Sequence, residues 1–169
     1  ETWEESGEGV DVHILESRAE DWGELWPEDV VIAVAGVDVQ DDRVECEIVG
    51  VGRDEETWSL EYFVVPGDPS GPQVWADLDA VLFSTYHTED GRELSVRSTC
   101  VDTGGSHTQS VYRYIKSRES RRVFGIKGVG GEGRPLVGRP SKNNIGKVHL
   151  FPVGADTAKE LVYSRLKIT

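Results

Sequence analysis

The sequence predicts a mixed α/β sheet, on three observations. A near-continuous apolar run opens the patterned part of the chain, two β-rich runs follow it across short turns, and strand-like segments then alternate with helical ones. At 169 residues the chain fits one domain with enough interior to fold without staples. A hydrophobic share of 37% excludes a disordered chain. No apolar stretch reaches the ~18 residues of a membrane span, so no membrane partner is expected.

Residues 1–29 are acidic and lack periodicity; they read as a lead-in or linker remnant, with Trp3, Trp22 and Trp26 as anchors and a single domain at 30–169 after them. Val30 to Asp38 is the first strand, and its unbroken apolar character predicts a central strand covered on both faces. Arg43 to Gly52 and Thr57 to Val65 complete an antiparallel meander, closed by Pro66-Gly67-Asp68-Pro69. Trp75, Leu78, Val81 and Leu82 recur at helical spacing within 74–86. Leu94 to Asp102 is a strand ending at Gly104-Gly105, where Ser106-x-x-Gln109 matches a capping box that opens a helix. Val123 to Lys127 and Val148 to Val153 are short strands around a Gly/Pro/Lys/Arg-rich excursion at 128–147, and Thr157-x-x-Glu160 caps a last helix. If the meander runs up, down, up, a right-handed crossover sets the 94–102 strand parallel to the first and beside it. Asp38 and Asp102 then become neighbours at the carboxyl ends of their strands, the edge where open α/β sheets bind ligands.

Charge divides the chain. Residues 1–95 hold 26 acidic and 4 basic side chains, whereas residues 96–169 hold 5 and 14, so an overall charge of −13 conceals a basic carboxyl-terminal part. Such a part can approach a phosphate backbone that the chain as a whole would repel. Cys46 and Cys100 form no CxxC pair and join no Cys/His cluster, which argues against zinc and for a reduced, cytosolic setting. The start at Glu-Thr-Trp, the absence of Met and the lack of a signal-peptide pattern predict a piece of a longer chain.

An aspartate closing an apolar strand is costly to desolvate, and two adjacent carboxylates repel each other. A divalent cation answers both costs. Asp156, at the start of the last helix, supplies a third carboxylate at the same edge, and an oxygen-only donor set favours two Mg²⁺ or Mn²⁺ ions over zinc. The bland readings stand beside this one: Asp102 forming an Asx-turn before Thr103-Gly104-Gly105, and Asp156 serving as a helix-start residue favoured by the dipole. Glu45 and Glu47 either reach the site or form a solvated strand face, the second being favoured; Asp41 and Asp42 read as turn residues, and His107 as a first-turn surface residue.

Gly128-Val-Gly-Gly-Glu-Gly133 satisfies G-x-G-x-x-G, but Arg134-Pro135 and Arg139-Pro140 leave no helix to receive a pyrophosphate. Gly146-Lys147 precedes Val148 rather than Ser or Thr, so no P-loop is encoded. Gly105-Ser106-His107 lacks the pattern of a nucleophile elbow. The glycine-rich segment fits better as a basic loop, with Lys127, Arg134, Arg139, Lys142 and Lys147 around it, able to lie along a nucleic-acid backbone. Arg113, Lys116, Arg118, Arg121 and Arg122 extend positive charge along the preceding helix, some of them offsetting the acidic half.

Four blocks, Ala35-Gly-Val-Asp38-Val-Gln-x-Asp-Arg43, Val101-Asp102-Thr-Gly-Gly105, Ile126-Lys-Gly128 and Gly154-x-Asp156-Thr-Ala-Lys-Glu160, together resemble the nuclease domain of the tailed-phage terminase large subunit, lambda-like branch. The resemblance runs from about Ala33 to Ile168. It implies a ribonuclease H-like fold and metal-dependent cutting of concatemeric double-stranded DNA during genome packaging in the host cell cytoplasm. It also implies an ATPase motor domain in the same full-length chain, with the small terminase subunit and portal as partners. By the same resemblance Asp38 bridges two ions while Asp102 and Asp156 hold one each. Lys127 contacts the DNA backbone, and Lys159 either steadies the phosphate or caps charge. Rival expectations are a junction resolvase or transposase-type enzyme of the same fold class, and a non-catalytic docking domain that uses its acidic half.

Overall fold

The computed structural model describes residues 12–21 and 23–166; Trp3, Trp22 and Ile168 of the sequence reading lie outside them. The expected meander is present as β1 (Ile32–Val39), β2 (Arg43–Val51) and β3 (Thr57–Pro66), paired antiparallel, with Asp38 opposite Glu45. The chain crosses through α2 (Gln73–Leu82) and returns as β6 (Val96–Asp102), parallel to β1. Helix α3 (Thr108–Arg118) leads to β7 (Val123–Val129), and a long excursion containing β8 (Ser141–Lys142) leads to β9 (His149–Gly154) and α4 (Ala155–Leu166). The resulting seven-stranded sheet has the order β3-β2-β1-β6-β7-β9-β8, antiparallel on one side of β1 and parallel through β9 on the other.

Helices α2 and α3 cover one face. Trp75 of α2 stacks on Tyr114 of α3 with ring centroids 4.6 Å apart, above Val44, Cys46, Ile48, Val101 and Val123. Each fully buried side chain of this kind contributes roughly 1.5–3 kcal/mol. Gly125 permits the fit of α3 on β7, because a Cβ there would stand 2.7 Å from Leu150 Cδ2 and 3.1 Å from Ile115 Cδ1.

Strand β1 differs from expectation. Ala33, Ala35 and Val37 are buried while Ile32, Gly36 and Asp38 are exposed, so one face is packed and the other is open. The apolar Ile32 and Val34 of the open face concealed this alternation in the sequence. Helix α2 stops at Leu82, short of Tyr86, which pairs as β4 (Tyr86–His87) with β5 (Glu93–Leu94). Tyr86 is recruited by Trp26, whose ring stacks on it at 4.3 Å and is 2% exposed. The acidic lead-in therefore docks through Trp26, and it includes one short helix, α1 (Val12–Ser17).

Neither capping box forms. Ser106 Oγ donates to Asp41, and α3 starts at Thr108 with no side-chain cap bond at His107. Helix α4 starts two residues before Thr157, whose hydroxyl donates to Arg134 O at 2.7 Å.

Candidate functional site

Strands β1 and β6 pair in parallel up to Val37 and Val101, so Asp38 and Asp102 are the next residues along at the same end. Gly36 pairs with Cys100, and alternation puts Asp38 and Asp102 on that same open face. Asp38 is exposed and Asp102 half-buried. Strands β7 and β9 run parallel to β6, which brings the carboxyl end of β9 to the same rim, and Asp156 is the second residue of α4 directly after it.

Each aspartate is oriented by a donor of its own neighbourhood. The Gln40 side-chain amide donates to Asp38 Oδ2, Gly104 N to Asp102 Oδ1 at 3.1 Å, and Gly131 N to Asp156 Oδ2 at 2.7 Å. The Asp102 contact is the Asx-turn anticipated from sequence. In all three carboxylates the other oxygen has no hydrogen-bond partner among the described residues, and no cationic side chain pairs with them there. Among the described residues no three His, Cys, Asp or Glu side chains converge tightly enough to hold one ion. Fit to a hard divalent cation therefore rests on the donor chemistry, three carboxylates with an uncommitted oxygen at one sheet edge, and on the adjacency of Asp38 and Asp102.

Two features of the rim involve contacts that the sequence did not show. Glu45 lies directly across the ladder from Asp38, but it is engaged by Tyr62 OH at 2.5 Å and by Arg43 Nε at 2.6 Å. The hydrogen bond from Tyr62, and then that from Arg43, hold its carboxyl below the usual range. The pairing of Glu45 with Asp38 was legible in the tight hairpin between β1 and β2; the Tyr62 contact from β3 was not. The second feature is Asp41, which accepts the Ser106 hydroxyl at 2.5 Å and lies 3.3 Å from His107 Nε2. Its carboxyl is lowered chiefly by the Ser106 bond. This contact ties the turn after β1 to the turn after β6, the two turns that follow Asp38 and Asp102.

The predicted basic loop separates into two groups. Lys127 is exposed near the rim end of β7, and Arg134 donates through Nε to Gly130 O at 2.7 Å beside the Gly131–Asp156 contact. Arg139 follows Gly138, whose N–H is bonded to Pro152 O. Lys142 pairs instead with His149 at the far end of β9, and Lys147 occupies a turn just before that strand. Lys159 is exposed on α4, one turn past Asp156. No helix among the described residues is long and apolar enough to cross a membrane.

The strand order and the helices on its faces define a mixed α/β protein of the ribonuclease H-like class, with aspartates at the carboxyl rim. Sequence comparison supplies the particular family. A family model described as the terminase large subunit gpA, endonuclease domain, matches residues 1–169, and the chain belongs to that family. It is 35% identical over 170 residues to the terminase large subunit of Escherichia phage lambda, covering 100% of this chain and 26% of that protein. It is 33% identical over 168 residues to the terminase large subunit of Enterobacteria phage P21, covering 99% of this chain and 26% of that one. The chain thus spans about a quarter of the length of these relatives. No solved structure gives a significant match.

Proposed function

We propose that the chain is a metal-dependent endonuclease that cuts concatemeric double-stranded DNA during phage genome packaging, with Asp38, Asp102 and Asp156 holding two divalent ions, Mg²⁺ or Mn²⁺. The observation that carries this reading is the placement of Asp38 and Asp102 on one face at the ends of adjacent parallel strands, each with an oxygen that has no hydrogen-bond partner among the described residues. Bound there, the ions supply the Lewis acidity that phosphodiester hydrolysis requires. The chain's own part is orientation. Gln40 and the Gly104 and Gly131 backbone N–H groups each fix one carboxylate oxygen and leave the second for ligation. Lys127 and Arg134, at the rim, meet the phosphate backbone as it approaches three negative side chains, with Arg139 and Lys159 flanking them. No protein nucleophile is needed. The relatives' greater length supports a role beside an ATPase motor in the same full-length chain, with the small terminase subunit and the portal as partners and the host cell cytoplasm as the setting.

The test is plasmid nicking by the wild type and by Asp38→Ala, Asp102→Ala and Asp156→Ala, in Mn²⁺, Mg²⁺ or chelator. Expected is cleavage by the wild type with either metal, none with chelator, and a loss of about 10³-fold in each variant, in line with several kcal/mol of transition-state charge stabilisation. Equal digestion by all four proteins rejects the assignment.

A further inference from the structure

The outer flank of α3 and the turn before β9 form a groove with a cationic border, which runs from the first turn of α3 toward the start of β9, away from the aspartate rim. Gln109, Tyr112, Arg113 and Lys116 follow one another at helical spacing along α3, and Ile145 and Gly146 form the opposite wall. Gly146 is what lets the walls meet, since a Cβ there would stand 2.7 Å from Tyr112 Cβ. Lys116 Nζ joins them by donating to Lys147 O at 3.2 Å. Lys142 extends the border from β8, opposite His149 at the start of β9. With β9 rising about 3.3 Å per residue, Lys142 stands roughly 16 Å along the strand from Gly154 and the rim.

Apart from Lys116, which pairs with Glu119, the charges of this border are not consumed internally. Arg113 has Ser110 Oγ as its hydrogen-bond partner, and among the described residues no carboxylate pairs with Arg113, Lys142 or Lys147. Glu119 is the acid at the groove's end, already shared by Lys116 at 3.2 Å and His149 at 3.7 Å. By contrast Arg118, on the next face of α3, is spent on Asp79 and stacks over Tyr114 at 4.1 Å. A line of uncompensated cations in a protein of charge −13 calls for an anionic occupant.

We propose that this groove is a second contact for the DNA backbone, separate from the catalytic rim. Arg113, Lys116, Lys142 and Lys147 bind phosphates of the duplex there and hold the substrate while the rim acts on it. The proposal rests on the nuclease reading above for its choice of anion. Its physical signature is independent of catalysis: phosphate contacts release counterions and show up as salt dependence, at about 0.9 unit of slope in log K against log salt per contact.

The experiment is fluorescence anisotropy of a labelled duplex with the 169-residue chain in chelator, over a salt series. The variants are Arg113→Gln/Lys142→Gln, and the quadruple variant that adds Lys116→Gln and Lys147→Asn, the last chosen because Asn tolerates the positive φ at that position. Expected is a slope flatter by about 2 units in the double variant and about 3–4 in the quadruple, with parallel loss of affinity at low salt. The double variant removes no contact to the main chain and guards against misfolding, which thermal melts monitor. Unchanged slope and affinity in both variants overturns the proposal and leaves the groove to a different anionic partner, such as an acidic protein surface. Failure of the nuclease reading registers separately, as nicking that survives Asp38→Ala.

Discussion

The antiparallel half of the sheet, β3-β2-β1 with α2 above it, carries most of the buried apolar side chains, and residues 1–95 carry 26 of the 31 acidic ones. The parallel half, β6-β7-β9, holds fewer buried side chains, ends in a helix α4 with none, and carries 14 of the 18 basic residues. Asp38 closes the last strand of the first half and Asp102 the first strand of the second. Packing and charge are thus divided: the acidic half holds most of the core, and the basic half, with fewer buried side chains, supplies the surfaces that a polyanion can approach. Confining the negative charge to one half reduces the repulsion that a chain of this net charge would otherwise present to DNA.

The two halves are expected to respond differently to truncation. Trp26→Ala removes a side chain that is 2% exposed, stacked on Tyr86 and bonded through Nε1 to Glu61, and it is expected to cost about 3–5 kcal/mol of unfolding free energy. Leu161→Ala on α4, where the side chain is 38% exposed, is expected to cost under about 1 kcal/mol. Urea denaturation of both variants decides the matter; a Leu161 effect as large as that of Trp26 means that α4 is part of the core.

A smaller effect sharpens how the halves are joined. Asp79 of α2 receives Arg118 Nε at 2.6 Å and Tyr114 OH at 2.9 Å, both from α3. The Tyr114 hydroxyl is pushed well above its ordinary pKa, first by burial and then by the charge of Asp79. Arg118→Ala leaves Asp79 with only a neutral donor and is expected to cost about 2 kcal/mol. The same loss is expected from Asp79→Ala, with little further loss in the double variant, because the three groups act as one network. Additive losses in the denaturation cycle show that Asp79 and Arg118 contribute independently and not as one network.

Much of this arrangement was legible in the sequence because it depends on local pattern and on connection rules. The runs before Val39, Val51 and Pro66 announced the meander, and the crossover rule put Asp102 beside Asp38. What was hidden depends on contacts between distant segments. Ser106 fits a capping box locally, but Asp41, 65 residues earlier, offers a charged acceptor that takes its hydroxyl instead. Lys142 and Lys147 belong to the excursion that also holds Arg134, and nothing local states that the chain goes back down the sheet before β9 begins. The two-residue strands β4 and β5 are too short to show a period at all.

The smallest expected effect concerns the seam itself. The Ser106 hydroxyl lowers the Asp41 carboxyl from its ordinary 3.8, with His107 acting in the same direction. A carboxyl depressed by folding stabilises the folded state at pH values above its unfolded pKa, and that contribution is lost as pH falls through the lower folded value. Ser106→Ala is therefore expected to move the Asp41 titration upward, toward but not fully to 3.8, because His107 remains. Asp41 is exposed, so the change belongs in a side-chain carboxyl NMR titration rather than in a melting curve. If the seam tie also sets the separation of the two turns, the Asp38 and Asp102 carboxyl signals shift in the same variant. If only Asp41 moves, the rim is held by the β1–β6 ladder without help from its turns.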